Sequence, residues 1–281
     1  MAAFLRYALA LLAAGVAFCL APVAAATGAG PIVPNCRHDP DPLSIAAKYA
    51  AAVCGNVALR EQAKQVKARG DALARRLPAA WRKAFAAHQA ALPGAVYNCP
   101  PDDARKAADC LGEIMRQRLI DIDDLAASLS GELPDCRPSD VAVRETDFGD
   151  AGMAQGTSVY VLDYKGSSSC RIRGYPRITV YDGDGKRQFS YAVYTGVDMY
   201  VGFDGPPLPV TLSPRSPGAW FALSSSSGCD TPAGGRPGYK VDVALPLSAE
   251  VLKTFALQST TCRRVSVTPI GAMSMMKAAI H

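Results

Sequence analysis

From Leu43 to about Leu129 apolar residues recur at three- and four-residue steps, the spacing that places them on one face of a helix. Leu59, Ala63, Val66, Gly70, Leu73 and Leu77 form one such stripe beside Arg60, Lys64, Lys67 and Arg69. Pro78 interrupts it, and Trp81, Phe85, His88 and Leu92 begin the next, which Pro93-Gly94 ends. Ala107, Leu111, Ile114, Met115, Arg118, Ile122 and Leu125 make a last stripe, with Asp102 or Asp103 placed to cap its start. Ser44 is the corresponding cap for a helix running toward Cys54. Three or four helices are predicted.

Near Gly131-Glu132-Leu133-Pro134 the pattern changes to short β-branched and aromatic runs separated by Gly, Pro, Ser and Thr. Predicted strands are Val141–Arg144, Ser158–Tyr164, Arg177–Tyr181, Ser190–Tyr194, Pro209–Leu212, Ala219–Ser224, Tyr239–Ala244 and Arg263–Pro269. Tyr181-Asp182-Gly183-Asp184-Gly185-Lys186 reads as a hairpin turn, because Asp and Gly tolerate positive φ. It lacks the regularly spaced oxygen ligands and closing Glu of a calcium loop. The expected fold class is therefore α+β in two domains: a small disulfide-bonded helical bundle, then an antiparallel immunoglobulin-like β-sandwich.

The N-terminal segment reads as an address. Arg6 precedes the apolar run Ala8–Leu20, and the small residues of Pro22-Val23-Ala24-Ala25-Ala26 suit signal peptidase. The run is too short to span a bilayer, so no transmembrane span is expected in the mature chain. A lipid anchor on Cys19 would want a small residue before it, and Phe18 is large. The expected layout is a signal peptide at 1–26, a flexible lead-in at 27–35, a helical domain at 36–133, a β-sandwich domain at 134–272 and a tail at 273–281.

Eight cysteines remain after cleavage: Cys36, Cys54, Cys99, Cys110, Cys136, Cys170, Cys229 and Cys262. An even count behind a signal peptide implies disulfides formed in an oxidising periplasm or exterior. Zinc would want close ligand pairs, and no Cys-x-x-Cys is present. Charge is modest, +5, with both signs interleaved and no basic block, so no nucleic-acid partner is expected.

Catalytic constellations are missing from the pattern. His38, His88 and His281 are dispersed, and no Gly-x-Ser-x-Gly, His-Glu-x-x-His or phosphate-binding loop occurs. Asp121, Asp123 and Asp124 read as a solvated helix face. Met273, Met275, Met276 and His281 would suit copper(I), but an apolar tail is the plainer reading, and no cofactor is expected. Arg171 and Arg173, two apart, would share one face of a strand as an anion or carbohydrate contact; a solvated sheet face is the commoner role. Tyr194 and Tyr200 sit in a Tyr-rich stretch suited to protein recognition.

The helical half resembles the LprI-like domain of bacterial envelope proteins, named for a lysozyme inhibitor. Cys36, Cys54 and Leu59 match its opening, Gln89 and Cys99 its middle, and Cys110-Leu111 with Arg118 its close. Leu92 stands where that family has Trp, and Ala63 where it has Asp. The strand-rich half is similar to the family called domain of unknown function 4232, through Cys136, Cys170, Gly174-Tyr175-Pro176, the Asp182–Gly185 turn and Leu212-Ser213-Pro214. The resemblances imply a secreted envelope binding protein, not an enzyme. Its partner would be a protein, with lysozyme the candidate, or cell-wall polymer; a structural or adhesion module is the alternative. The expected bridges are Cys36–Cys54, Cys99–Cys110, Cys136–Cys170 and Cys229–Cys262, the last two being one of three connectivities open to four cysteines.

Overall fold

The computed structural model describes residues 32–36, 45–94, 99–100, 103–131, 133–152, 155–182, 184–191, 206–226, 238–261, 265–274 and 276. The expected signal peptide, Tyr194, Tyr200, Cys229, Cys262, Met275 and His281 lie outside the described residues.

Among the described residues four α-helices come first: α1 (Ile45–Gly55), α2 (Val57–Arg76), α3 (Ala79–Ala91) and α4 (Ala104–Ser128). Asn56 caps α2 by accepting the Leu59 N–H at 3.2 Å, and Asp103 caps α4 through Arg105 N and Lys106 N, both at 3.0 Å. Every member of the stripe from Leu59 to Leu77 is buried, and α2 packs along α4. These residues join Tyr49, Val53, Phe85, Leu92, Leu111, Met115, Ile122 and Leu125 in one apolar cluster. Cys36–Cys54 and Cys99–Cys110 are disulfides inside this half.

Eleven strands follow among the described residues: β1 (Val141–Gly152), β2 (Gln155–Tyr164), β3 (Cys170–Ile172), β4 (Arg177–Asp182), β5 (Arg187–Tyr191), β6 (Val210–Leu212), β7 (Gly218–Ser226), β8 (Gly238–Ala244), β9 (Val251–Thr261), β10 (Val265–Val267) and β11 (Gly271–Ala272). The class is α+β, and all pairings between these strands are antiparallel. One sheet runs β1-β2-β7-β10 with β11 also on β7, a second runs β5-β4-β8-β9, and β3 pairs with β6. Residues of both larger sheets share an apolar cluster in which Tyr160 stacks on Phe221 and meets Phe255 edge-on, with centroids 5.1 and 4.7 Å apart.

The predicted Asp182 hairpin is present. Asp182 Oδ1 accepts the Asp184 and Lys186 N–H groups at 3.0 and 2.7 Å, and Gly185 takes φ +75°. The outer face of β2 and β7 carries a small cluster of Val159, Val161, Trp220 and Ala222, covered by Met273 and Met276. These two methionines therefore pack as an apolar cover, and Trp220 Nε1 donates to the Ala272 carbonyl at 3.0 Å.

The two largest clusters are distinct, yet the halves touch along α4. The rigid run Pro206-Pro207-Leu208-Pro209 carries Leu208, 8% exposed, into the helical cluster. Ser128 and Thr211 hydroxyls are hydrogen-bonded, and Thr211 Oγ1 donates to the Asp124 carbonyl at 2.9 Å.

Candidate functional site

A cleft of about 750 Å³ opens where the ends of the helices meet the strands. That size is within the range of small-ligand sites. One wall is the start of α3, with Pro78 and Trp81, and the end of α4, with Ser128 and Leu129. A second is β3 with the extended segment beside it, bringing Asp135, Arg137, Arg171 and Arg173. A third is the turn after β8, where Pro246 and Leu247 face it above the buried Leu245.

The β3 wall is stiff for identifiable reasons. Cys136 is bonded to Cys170, the Cys136 N–H donates to the Arg171 carbonyl at 3.0 Å, and the Arg171 N–H donates to Pro134 at 2.9 Å. Burial alternates so that Ile172 enters the core while Arg171 and Arg173 lie on the other side. Gly174 follows at φ +113°, a conformation that favours glycine and turns the chain toward β4. Arg171 Nε donates to Asp135 Oδ1 at 3.1 Å.

The turn after β8 is equally held. Ser248 N donates to the Leu245 carbonyl at 3.1 Å, Glu250 N to Ser248 Oγ at 3.0 Å, and Arg177 Nη1 to the Ser248 carbonyl at 2.6 Å. Leu247 stands at the tip, 83% exposed.

A second polar cluster lies beneath the junction, around a void of about 30 Å³ lined in part by His88, Arg118, Asp121 and Leu208. Arg118 is 3% exposed, donates Nε to Gln89 Oε1 at 2.9 Å and lies 5.5 Å from the Phe85 ring centroid. Burial, opposed by Asp121, lowers its pKa to about 10. Burial and the Arg118 charge lower His88 to about 3, so the imidazole stays neutral. Burial raises Asp121, and burial with the neighbouring Asp121 and Asp123 charges raises Asp124 to about 6. The void has room for about one water and none for a substrate, so this cluster is structural.

The expectation of a solvated acidic face is corrected here. Only Asp123 is exposed, in an ion pair with Arg69 at 2.6 Å. Asp121 is 7% exposed because Ser274 and the junction cover that side of α4. Gln89 and Arg118 are likewise inward residues that bind each other. His88 belongs to the same covered face.

Of the proposed binding residues, Arg171 and Arg173 line the cleft together. Sequence reasoning missed Trp81, Arg137 and Leu247 as cleft residues. Trp81 belongs to the apolar stripe of α3 and leans on the helical cluster, while its remaining surface faces the cleft. Among the described residues no group of three or more His, Cys, Asp or Glu could hold a metal ion, and no helix is long and apolar enough to cross a membrane. No protein family matches the chain, and no curated protein or solved structure was found similar to it.

Proposed function

We propose that this is a secreted, non-catalytic binding protein of the bacterial envelope that holds its ligand in the cleft between its helices and strands. On this reading it has two domains, the second an immunoglobulin-like sandwich. The observation that carries the proposal is the cleft itself: about 750 Å³, walled by Trp81 and by arginines on a disulfide-pinned strand. A half-buried indole and a guanidinium already engaged by Asp135 lose less conformational entropy on binding than free side chains, which favours affinity.

The test uses the oxidised full chain with purified cell-wall polymer and with soluble fragments of it. Co-sedimentation and indole quenching measure association, and fragment analysis measures turnover. Association without turnover, weakened at least tenfold by Trp81→Ala, is the expected result. Turnover, or association indifferent to Trp81, refutes the reading.

Steric inhibition of lysozyme by the helical half is a second reading, favoured by the closure of Cys36–Cys54 and Cys99–Cys110 within that half. Clearing of a cell-wall suspension by lysozyme, unslowed by micromolar full chain, would reject it.

A further inference from the structure

We propose that the cleft receives a short peptide with apolar side chains and a free carboxylate, the carboxylate docking on the guanidiniums of Arg171 and Arg173 that line it together with Arg137 and Trp81. The inference rests on the ligand-cleft reading above and narrows it to one chemical class.

Charge comes first. Three arginines and one aspartate line the cleft, and the aspartate is already engaged by Arg171 Nε. That contact uses Arg171 Nε and leaves its two terminal nitrogens without a partner among the described residues. The guanidinium fork matches the two oxygens of a carboxylate in a bidentate, charge-assisted pair. Arg171 is also half-shielded, its side chain 32% exposed, so the pair would be less screened than one on open surface. Arg173, two positions on, adds a second positive group on the same side.

The remaining lining decides what carries the carboxylate. A sugar needs groups that read hydroxyls, and the described lining holds no Asn, Gln or Glu. Its one Asp is engaged by Arg171, the Ser128 hydroxyl by Thr211, and the Ser248 hydroxyl oxygen accepts the Glu250 N–H. What remains with accessible surface is Trp81, Leu129, Leu247, Pro78, Pro138 and Pro246, a surface for aliphatic side chains and extended backbone. A nucleotide would satisfy the charge but would leave the aliphatic walls unused.

The experiment immobilises the oxidised full chain and exposes it to a mixed tetrapeptide library of Ala, Val, Leu and Phe, N-acetylated, with free C-terminal carboxylates. The same library, amidated, is the comparison. At least tenfold enrichment of acids over amides is expected, falling as salt rises, with Arg171→Gln and Arg173→Gln each reducing the ratio severalfold. Arg173 is exposed, so its variant remains informative should Arg171→Gln disturb the strand. Equal retention of acids and amides, or a ratio unchanged in both variants, overturns the proposal. Should sugar chains stripped of peptide bind in a Trp81-dependent way while the library does not, the peptide assignment falls and the cleft reading stands. Should neither bind, both fall.

Discussion

Replacing Leu208 by Ala should loosen the helical half, although Leu208 lies beyond the strands that precede it in the chain. Its side chain is 8% exposed and packed in the helical cluster, beside a void of about 30 Å³. Removing the three carbons beyond Cβ forfeits about 0.8 kcal/mol each, or roughly 2.4 kcal/mol of transfer free energy. The prolines on either side of Leu208 hold its backbone in place, so the site collapses little and the enlarged void raises the loss to about 3–4 kcal/mol. The chain holds two tryptophans, Trp81 against the helical cluster and Trp220 within the strands, so each half has its own fluorescent reporter. Urea unfolding of the protein and of its Trp81→Phe variant separates the two signals. Leu208→Ala should shift the Trp81 transition by the full amount. A shift worth less than about 1 kcal/mol would show that Leu208 does not belong to the helical core, and the reasoning would fail.

Other outcomes follow from the same structure. Gly70→Ala should destabilise by about 1 kcal/mol in thermal melts: an added Cβ would lie 1.9 Å from Gln89 Nε2, and losing the Gln89 bond to buried Arg118 outweighs the helix propensity gained. Asp124→Asn should remove a pH dependence. Its folded pKa is raised to about 6, so its contribution is most favourable below the ordinary carboxylate pKa and is lost as pH rises through 6. His88, lowered to about 3, acts oppositely as pH falls below its ordinary value, so the readout is the difference in urea midpoint between the Asp124→Asn protein and the parent at pH 4 and pH 7.5. The variant should be the more stable of the two at pH 7.5, and an unchanged difference across the range would contradict the assignment. Removing the Cys136–Cys170 bridge should cost roughly 3–4 kcal/mol by loop entropy and weaken cleft binding further, because it pins the Arg171 wall; calorimetry and ligand titration read the two effects separately.

The helices were legible because burial repeats every turn, and each residue from Leu59 to Leu77 in the stripe is inside. The Asp182 hairpin was legible because its chemistry is local. Strand β9 was not: Val251-Leu252-Lys253-Thr254-Phe255-Ala256-Leu257-Gln258 mixes helix formers with few β-branched residues, and pairing with β8 decides its conformation. Strand β3 is three residues long and is set by Cys136 and β6. The burial of Asp121 was hidden for a different reason. Helical period tells which residues share a face, not whether a segment more than a hundred positions later will cover a second face. Half of the cleft was visible as the Arg171 and Arg173 pair, while Trp81 and Leu247 meet them only through the tertiary fold.

The three described bridges each join a cysteine to the next one along the chain, from Cys36 to Cys54, Cys99 to Cys110 and Cys136 to Cys170. A polypeptide threaded out of a membrane pore N-terminus first would therefore present each sulfur after its correct partner and before any later competitor. Were the chain exported in this way, order of arrival alone would favour these three links, and a plain thiol oxidant would suffice for them where interleaved bridges would call for an isomerase.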